Sequence, residues 1–311
     1  MYLRNIIIAI IIIILLYLAM KLIMMYLKFK TFTKAMKNIW HNDIYCTKFE
    51  PPCNITINNN IAVPVLINKE FNNQTARFSI DLISRLIAIY IPPKYGLYKP
   101  HPDTIVINIL TYGTGKYPIL GCILMDKNKN LWISFRGTLE KVDIIQDFLY
   151  NETNVIAPFS HDREILIHQG FSNIYTSVKN TIFNAISKYK PKNIIITGHS
   201  LGSGVATVAS YDIAKQYPNT KVVVYAFASP RVGNIKFAEA VNLATYSFYR
   251  IVNIADIIPT LPLSVMPNKN DYSNPYIYYH CGKEISFDQN WKSLENNHMI
   301  YNYRHFINSQ K

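Results

Sequence analysis

Cysteine is sparse, at 4 in 311 residues, which excludes a small scaffold built from disulfides. Glycine (11) and proline (16) are too few for a collagen-like or linker-rich chain, and no internal repeat period is present. Charge is low as well. Only 16% of residues are Asp, Glu, Lys or Arg against 50% hydrophobic, so the chain can build a buried core and is not wholly disordered. What charge there is leans one way, with 32 basic and 19 acidic side chains for a net +13. The excess of Ile, Asn, Lys and Tyr reads as the coding bias of an A/T-rich genome, and outside the N-terminal region the basic residues are scattered singly. Nucleic acid is therefore not an expected partner. The histidines and cysteines show no H-x-x-x-H or paired Cys/His spacing, so neither a metal nor a cofactor is expected.

One long apolar run is present, at the N-terminus. Ile6 to Met20 carries no charge, and the run resumes after Lys21 as Leu22 to Leu27. At about 1.5 Å per residue this spans roughly 33 Å, enough for a hydrocarbon core of about 30 Å. The pattern predicts one N-terminal transmembrane helix, with Lys21 able to snorkel and no small-x-small cleavage site after it. Lys28, Lys30, Lys34 and Lys37 follow the run and only Arg4 precedes it, which favours a cytoplasmic location for the rest of the chain. The sequons at Asn54, Asn73 and Asn151 leave a lumenal or extracellular side open. The expected organisation is an anchor over 1–30, a juxtamembrane linker over 31–63 and one domain over 64–311, with the membrane as a partner and no obligate protein partner evident.

Within that domain the periods alternate. Gln74–Ile91 is helical in spacing and stops at Pro92-Pro93; Ile119–Met125 and Leu131–Phe135 read as strand, turn, strand. Then come helix Phe171–Tyr189, strand Asn193–Thr197, helix Leu201–Gln216, strand Lys221–Phe227, helix Asn234–Leu243 and strand Tyr246–Asn253. Fully apolar strands alternating with helices predict an α/β fold, a mostly parallel sheet with helices on both faces.

Between one such strand and the next helix stands Gly198-His199-Ser200-Leu201-Gly202. A G-x-S-x-G turn in that context is a nucleophile elbow. The turn is so tight that the residues two away from the serine must be glycine, which thrusts the hydroxyl above the sheet. The N–H of Leu201, at the start of the helix, then faces the position where an oxyanion would form.

With these residues in view, the sequence resembles the class 3 lipases, the fungal-lipase-like family of α/β hydrolases, over Gln74 to Tyr301. Trp132-Ile-Ser-Phe-Arg-Gly-Thr138, Ile167-His-Gln-Gly-Phe171, the elbow and Phe227-Ala-Ser-Pro-Arg-Val-Gly233 follow that family's order, as does Asn253-Ile-Ala-Asp256-Ile-Ile-Pro259. The resemblance implies an α/β-hydrolase fold and hydrolysis of lipid esters. The triad order of this fold is Ser, Asp or Glu, then His. Asp256 follows an apolar strand and matches the family's N-x-x-D-x-x-P; His298 matches its H-x-x-Y, as His298 to Tyr301. His305 is the runner-up for the base, while His168, His199 and His280 read as structural.

The expectation is therefore a membrane-anchored serine lipase acting on acylglycerols through Ser200, His298 and Asp256. By resemblance, Thr138 joins Leu201 in the oxyanion hole, Asp147 supports Thr138, and Leu139 to Gln146 forms a lid whose apolar side chains include Leu139, Val142, Ile144 and Ile145. A phospholipase A1 or other lipid acyl-hydrolase on the same fold is the nearest alternative, and a catalytically idle lipid-binding protein is a third. Cys46, Cys53 and Cys281 are candidates for a bridge as in secreted relatives; Cys122, in an apolar strand, reads as an inert buried thiol.

Overall fold

The computed structural model describes residues 20, 57–65, 67–90, 98–113, 118–138, 154–156, 160, 162–268, 271 and 273–310. The chain divides into two units, Met1–Asp43 and Ile44–Lys311; only Met20 of the first is described.

The first described element of the second unit is helix α1 (Asn73–Ala88), started by the Asn72 side chain, which accepts from the Thr75 N–H at 2.8 Å. Strands β1 (Thr104–Thr111), β2 (Ile119–Asp126) and β3 (Asn130–Phe135) form an antiparallel meander. A short pair, β4 (Asn154–Ile156) and β5 (Leu166–His168), precedes α2 (Gln169–Tyr189). There follow β6 (Asn193–His199), α3 (Leu201–Gln216), β7 (Lys221–Phe227), α4 (Ile235–Ala244) and β8 (Ser247–Asn253). A two-stranded ladder of β9 (Val265–Met266) and β10 (Tyr276–Ile277) leads to β11 (Lys283–Phe287), α5 (Leu294–His298) and α6 (Ile300–Ser309).

The main sheet has seven strands in the order β1-β2-β3-β6-β7-β8-β11, and every pairing from β3 to β11 is parallel. Every residue of β3, β6 and β8 is buried, as sheets covered on both faces require. On one face α1 and α6 pack through Ile80, Ile83, Tyr303 and Ile307 onto Val223, Tyr225 and Tyr249. Arg77 of α1 donates to the carbonyls of Ile307 and Asn308, at 3.3 Å each, and to that of Gln310, meeting carbonyls that a helix end leaves without donors. α2 and α3 lie on the other face; there a Cβ on Gly204 would come within 2.4 Å of the Phe171 ring, so glycine lets the two helices approach.

The α/β-hydrolase sheet is thus present, but the transmembrane helix attached to that fold expectation is corrected. Among the described residues no helix is long and apolar enough to cross a membrane. The longest, α2, has 21 residues and turns Asn173, Thr176, Ser177 and Asn180 away from the core; the next have 16, short of the roughly 20 apolar residues a span requires. The run Ile6 to Leu27 lies outside the described residues apart from Met20. Element boundaries also move. α1 stops at Ala88 rather than Ile91, and β6 runs on through Gly198 and His199 into the turn.

Candidate active site

The carboxyl ends of the parallel strands carry the site, the edge where open α/β sheets bind ligands. β6 ends at His199, and Ser200 then takes φ 57° and ψ −126°, a left-handed conformation that costs a non-glycine residue about 1–3 kcal/mol. Its surroundings leave no room for relaxation. A Cβ on Gly198 would sit 2.3 Å from the carbonyl oxygen of Gly202, and one on Gly202 would sit 2.3 Å from that of Arg136. The two glycines of the motif are thus demanded by backbone packed against backbone. Ser200 N–H donates to the Phe227 carbonyl at 3.0 Å, tying the turn to β7. A helix N-cap serine ordinarily bonds the first turn with its side chain. Ser200 makes no such bond.

Its hydroxyl goes elsewhere. Ser200 Oγ lies 2.8 Å from His298 Nε2, and His298 Nδ1 lies 2.8 Å from Asp256 Oδ2. All three side chains are buried, with Ser200 1%, Asp256 2% and His298 7% exposed. Asp256 stands three residues past β8, and its carboxylate takes two more donors: the Ile258 N–H on Oδ1 at 2.9 Å and the Tyr303 hydroxyl on Oδ2 at 2.6 Å. Burial, and then the adjacent Asp256, raise the Tyr303 phenol well above its ordinary value, so it remains a donor. A serine hydroxyl bonded to an imidazole that is bonded in turn to a carboxylate can pass its proton to the ring as it attacks an electrophile.

The other expected positions divide. Leu201 opens α3, so its N–H has no acceptor within the helix and stands beside Ser200. Thr138 is on the strand-to-loop segment leaving β3, one residue beyond Gly137, whose Cβ would lie 3.2 Å from that of Ser200. Arg136 holds this segment, donating to the carbonyl of Gly137 at 2.7 Å and to that of Ile119. Because the peptide is planar and trans, fixing the Gly137 carbonyl also fixes the direction of the Thr138 N–H. Asp147 and the lid residues Leu139, Val142, Ile144 and Ile145 lie outside the described residues.

Two residues of this cluster were not singled out for it by the sequence. Tyr303, not Tyr301 of the H-x-x-Y spacing, reaches Asp256. His199, read as structural, touches His298: its Nε2 is 3.0 Å from the His298 carbonyl oxygen. His280 stands apart, pushed down to about 3 by burial and then by Arg250 and Arg231. Cys122 and Cys281 are free, buried thiols, each pushed up to about 12 by burial. Among the described residues no group of three or more His, Cys, Asp or Glu is placed to hold a metal ion.

Fold and turn together are those of an α/β hydrolase. The family model described as Lipase (class 3) matches residues 132–266, a stretch that carries the elbow and Asp256. The chain is 29% identical over 197 residues to phospholipase A1-Igamma3 of Arabidopsis thaliana, covering 51% of this chain and 37% of that protein. It is 30% identical over 144 residues to a lipase of Rhizopus niveus, covering 44% and 36%. The match spans less than half the length of these relatives. Among solved structures, the Rhizomucor miehei triacylglyceride lipase aligns with TM-score 0.53 at 22% identity over 69% of this chain and 79% of that one. Yarrowia lipolytica LIP2 lipase aligns with TM-score 0.52 at 20% identity over 69% and 77%. At such identities the structures speak for the fold alone. Over residues 132–266 the chain is similar to the class 3 lipase family, and its fold is that of the α/β hydrolases.

Proposed function

We propose that the protein hydrolyses carboxylic esters of lipids through Ser200, His298 and Asp256. The observation that carries this reading is the unbroken pair of 2.8 Å contacts from the Ser200 hydroxyl through the His298 ring to the Asp256 carboxylate. Ser200 Oγ attacks the ester carbonyl carbon while His298 Nε2 takes the hydroxyl proton. The tetrahedral oxyanion forms beside the N–H groups of Leu201 and Thr138, each such donor being worth about 3–4 kcal/mol of barrier. As the intermediate collapses, the C–O bond to the leaving alcohol breaks and that oxygen takes the proton from His298. Water, deprotonated by the same ring, then releases the carboxylic acid from the serine. Asp256 orients the ring and stabilises its cation during both halves.

Two substrate readings stand on this chemistry. Acylglycerol hydrolysis is favoured by the sequence similarity to the Rhizopus niveus lipase; hydrolysis of a phospholipid acyl ester is favoured by the similarity to the Arabidopsis phospholipases A1. A panel of emulsified tributyrin and phosphatidylcholine vesicles separates them. The hydrolase reading itself is tested with p-nitrophenyl butyrate: purified protein is expected to turn it over, and Ser200→Ala to lose on the order of a millionfold in kcat. Equal rates for the two would overturn it and leave an idle lipid-binding protein.

A further inference from the structure

His298 is the last residue of α5, a helix of only five residues, so its position depends on what holds that helix. A single turn is not self-supporting in water, and its last carbonyls have no donor within the helix. Two side chains meet them. Asn253 Nδ2 donates to the carbonyl of Asn297 at 3.0 Å, and His199 Nε2 lies 3.0 Å from the carbonyl oxygen of His298. A carbonyl only accepts, so His199 Nε2 carries the hydrogen and the tautomer of this ring is fixed.

The origin of the two donors matters. His199 ends β6 directly before Ser200, and Asn253 ends β8 three residues before Asp256. The strands that deliver nucleophile and acid thus each grip one of two consecutive carbonyls in the helix that delivers the base. Both donors are themselves immobilised. Asn253 is 0% exposed and also bonds the carbonyl and N–H of Gln289 at 2.9 and 3.0 Å. The His199 ring lies against that of His298, centroids 4.7 Å apart, and edge-on to Tyr303 at 5.6 Å. Burial, and then His298, hold the His199 imidazole well below the ordinary histidine range, so it stays neutral with one hydrogen, the one it donates.

We infer that His199 and Asn253 are positioning residues that set the general base by holding the carbonyls of His298 and Asn297. The inference rests on the Ser-His-Asp reading above. Neither residue touches the reacting atoms. Each acts through the backbone of α5, where a displacement near 1 Å is enough to lower turnover about a hundredfold.

The test uses the full chain and p-nitrophenyl butyrate, with kcat and KM measured separately and thermal melts recorded. His199→Phe keeps the ring and loses the donor; His199→Gln carries an amide N–H to the Nε2 position; His199→Asn has an amide that stops at the Nδ1 position. The expected result is a kcat lowered about 10- to 100-fold in the Phe and Asn variants, with KM within about twofold, and recovery of most of that loss in the Gln variant. Donor-dependent recovery is not something a packing role would produce. Wild-type kcat in the Asn variant, or no advantage of Gln over Asn, would overturn the inference, and this comparison stands even where His199→Phe melts without cooperativity. A wild-type protein no faster than Ser200→Ala overturns the hydrolase reading instead, so the two failures are distinct.

Discussion

The Tyr303 hydroxyl donates to Asp256 Oδ2 at 2.6 Å, on the same oxygen that faces His298 Nδ1. Tyr303→Phe removes one of three donors from a buried carboxylate while keeping the ring. Hydrogen bonds to charged groups are worth about 1.5–3 kcal/mol, so urea unfolding should register a loss of that order. Esterase kcat is expected to fall about tenfold, the range by which outer hydrogen bonds tune a site.

Asp256→Asn tests orientation of the ring more directly. The Asn amide offers its own N–H where the carboxylate accepted one, which favours the wrong imidazole tautomer. Turnover of p-nitrophenyl butyrate is expected to drop on the order of ten-thousandfold with circular dichroism unchanged. A loss under tenfold would mean that Asp256 does not serve the base.

Strain at the elbow predicts an opposition between stability and activity. Ser200 sits at φ 57°, ψ −126°, where glycine is at ease. Ser200→Gly should therefore raise the unfolding free energy, by up to about 1 kcal/mol, while abolishing hydrolysis. A lower melting temperature would show that the serine backbone is unstrained.

Gly202→Ala should do the reverse of relieving strain. Its Cβ would lie 2.3 Å from the Arg136 carbonyl oxygen and 2.7 Å from that of Phe135, both backbone atoms with no rotamer to change. Destabilisation of about 3 kcal/mol or more is expected in a denaturant melt. Any folded fraction should be catalytically impaired, because the displaced segment leads directly to Thr138.

Acid should destabilise the protein through its buried histidines. His199, His101 and His280 all lie below the ordinary histidine value in the folded chain, each chiefly because burial disfavours the cation, with His280 pushed down to about 3. Unfolding lets each take up a proton, so the unfolded state binds more protons once pH falls below about 6.5. Their contribution is complete above that value and is lost as pH falls below it, for His280 down to about 3, with a slope of up to about 1.4 kcal/mol per pH unit for each. His280→Gln should flatten the slope of stability against pH between 6 and 4, as measured by chemical denaturation; an unchanged slope would remove His280 from the account.

The parts of this architecture that are legible in the sequence are those with local steric causes. The Gly198 to Gly202 turn is written in the residues themselves, because two glycines answer two backbone contacts. Apolar β6, β7 and β8 declare themselves by lacking polar alternation. β1, whose residues alternate irregularly between exposed and half-buried, β11, similarly half-exposed, and α6 give no such signal and were not anticipated. Asp256 could be singled out by its place after an apolar strand, while His298 depended on family resemblance, and the structure brings both to Ser200. Tyr303 shares the segment Tyr301-Asn-Tyr-Arg-His-Phe306 with a second tyrosine, and only tertiary packing selects one of the two hydroxyls. The contact of His199 with a backbone carbonyl 99 residues away follows no sequence spacing at all.

Arg77 bonds three carbonyls at the end of α6, latching the first described helix onto the helix that carries Tyr303. The carboxylate that faces His298 is therefore held from outside the sheet as well as from within it, through a hydroxyl whose helix is tied to the other end of the domain. Loosening that tie, as in Arg77→Ala, would reach the aspartate without touching any strand.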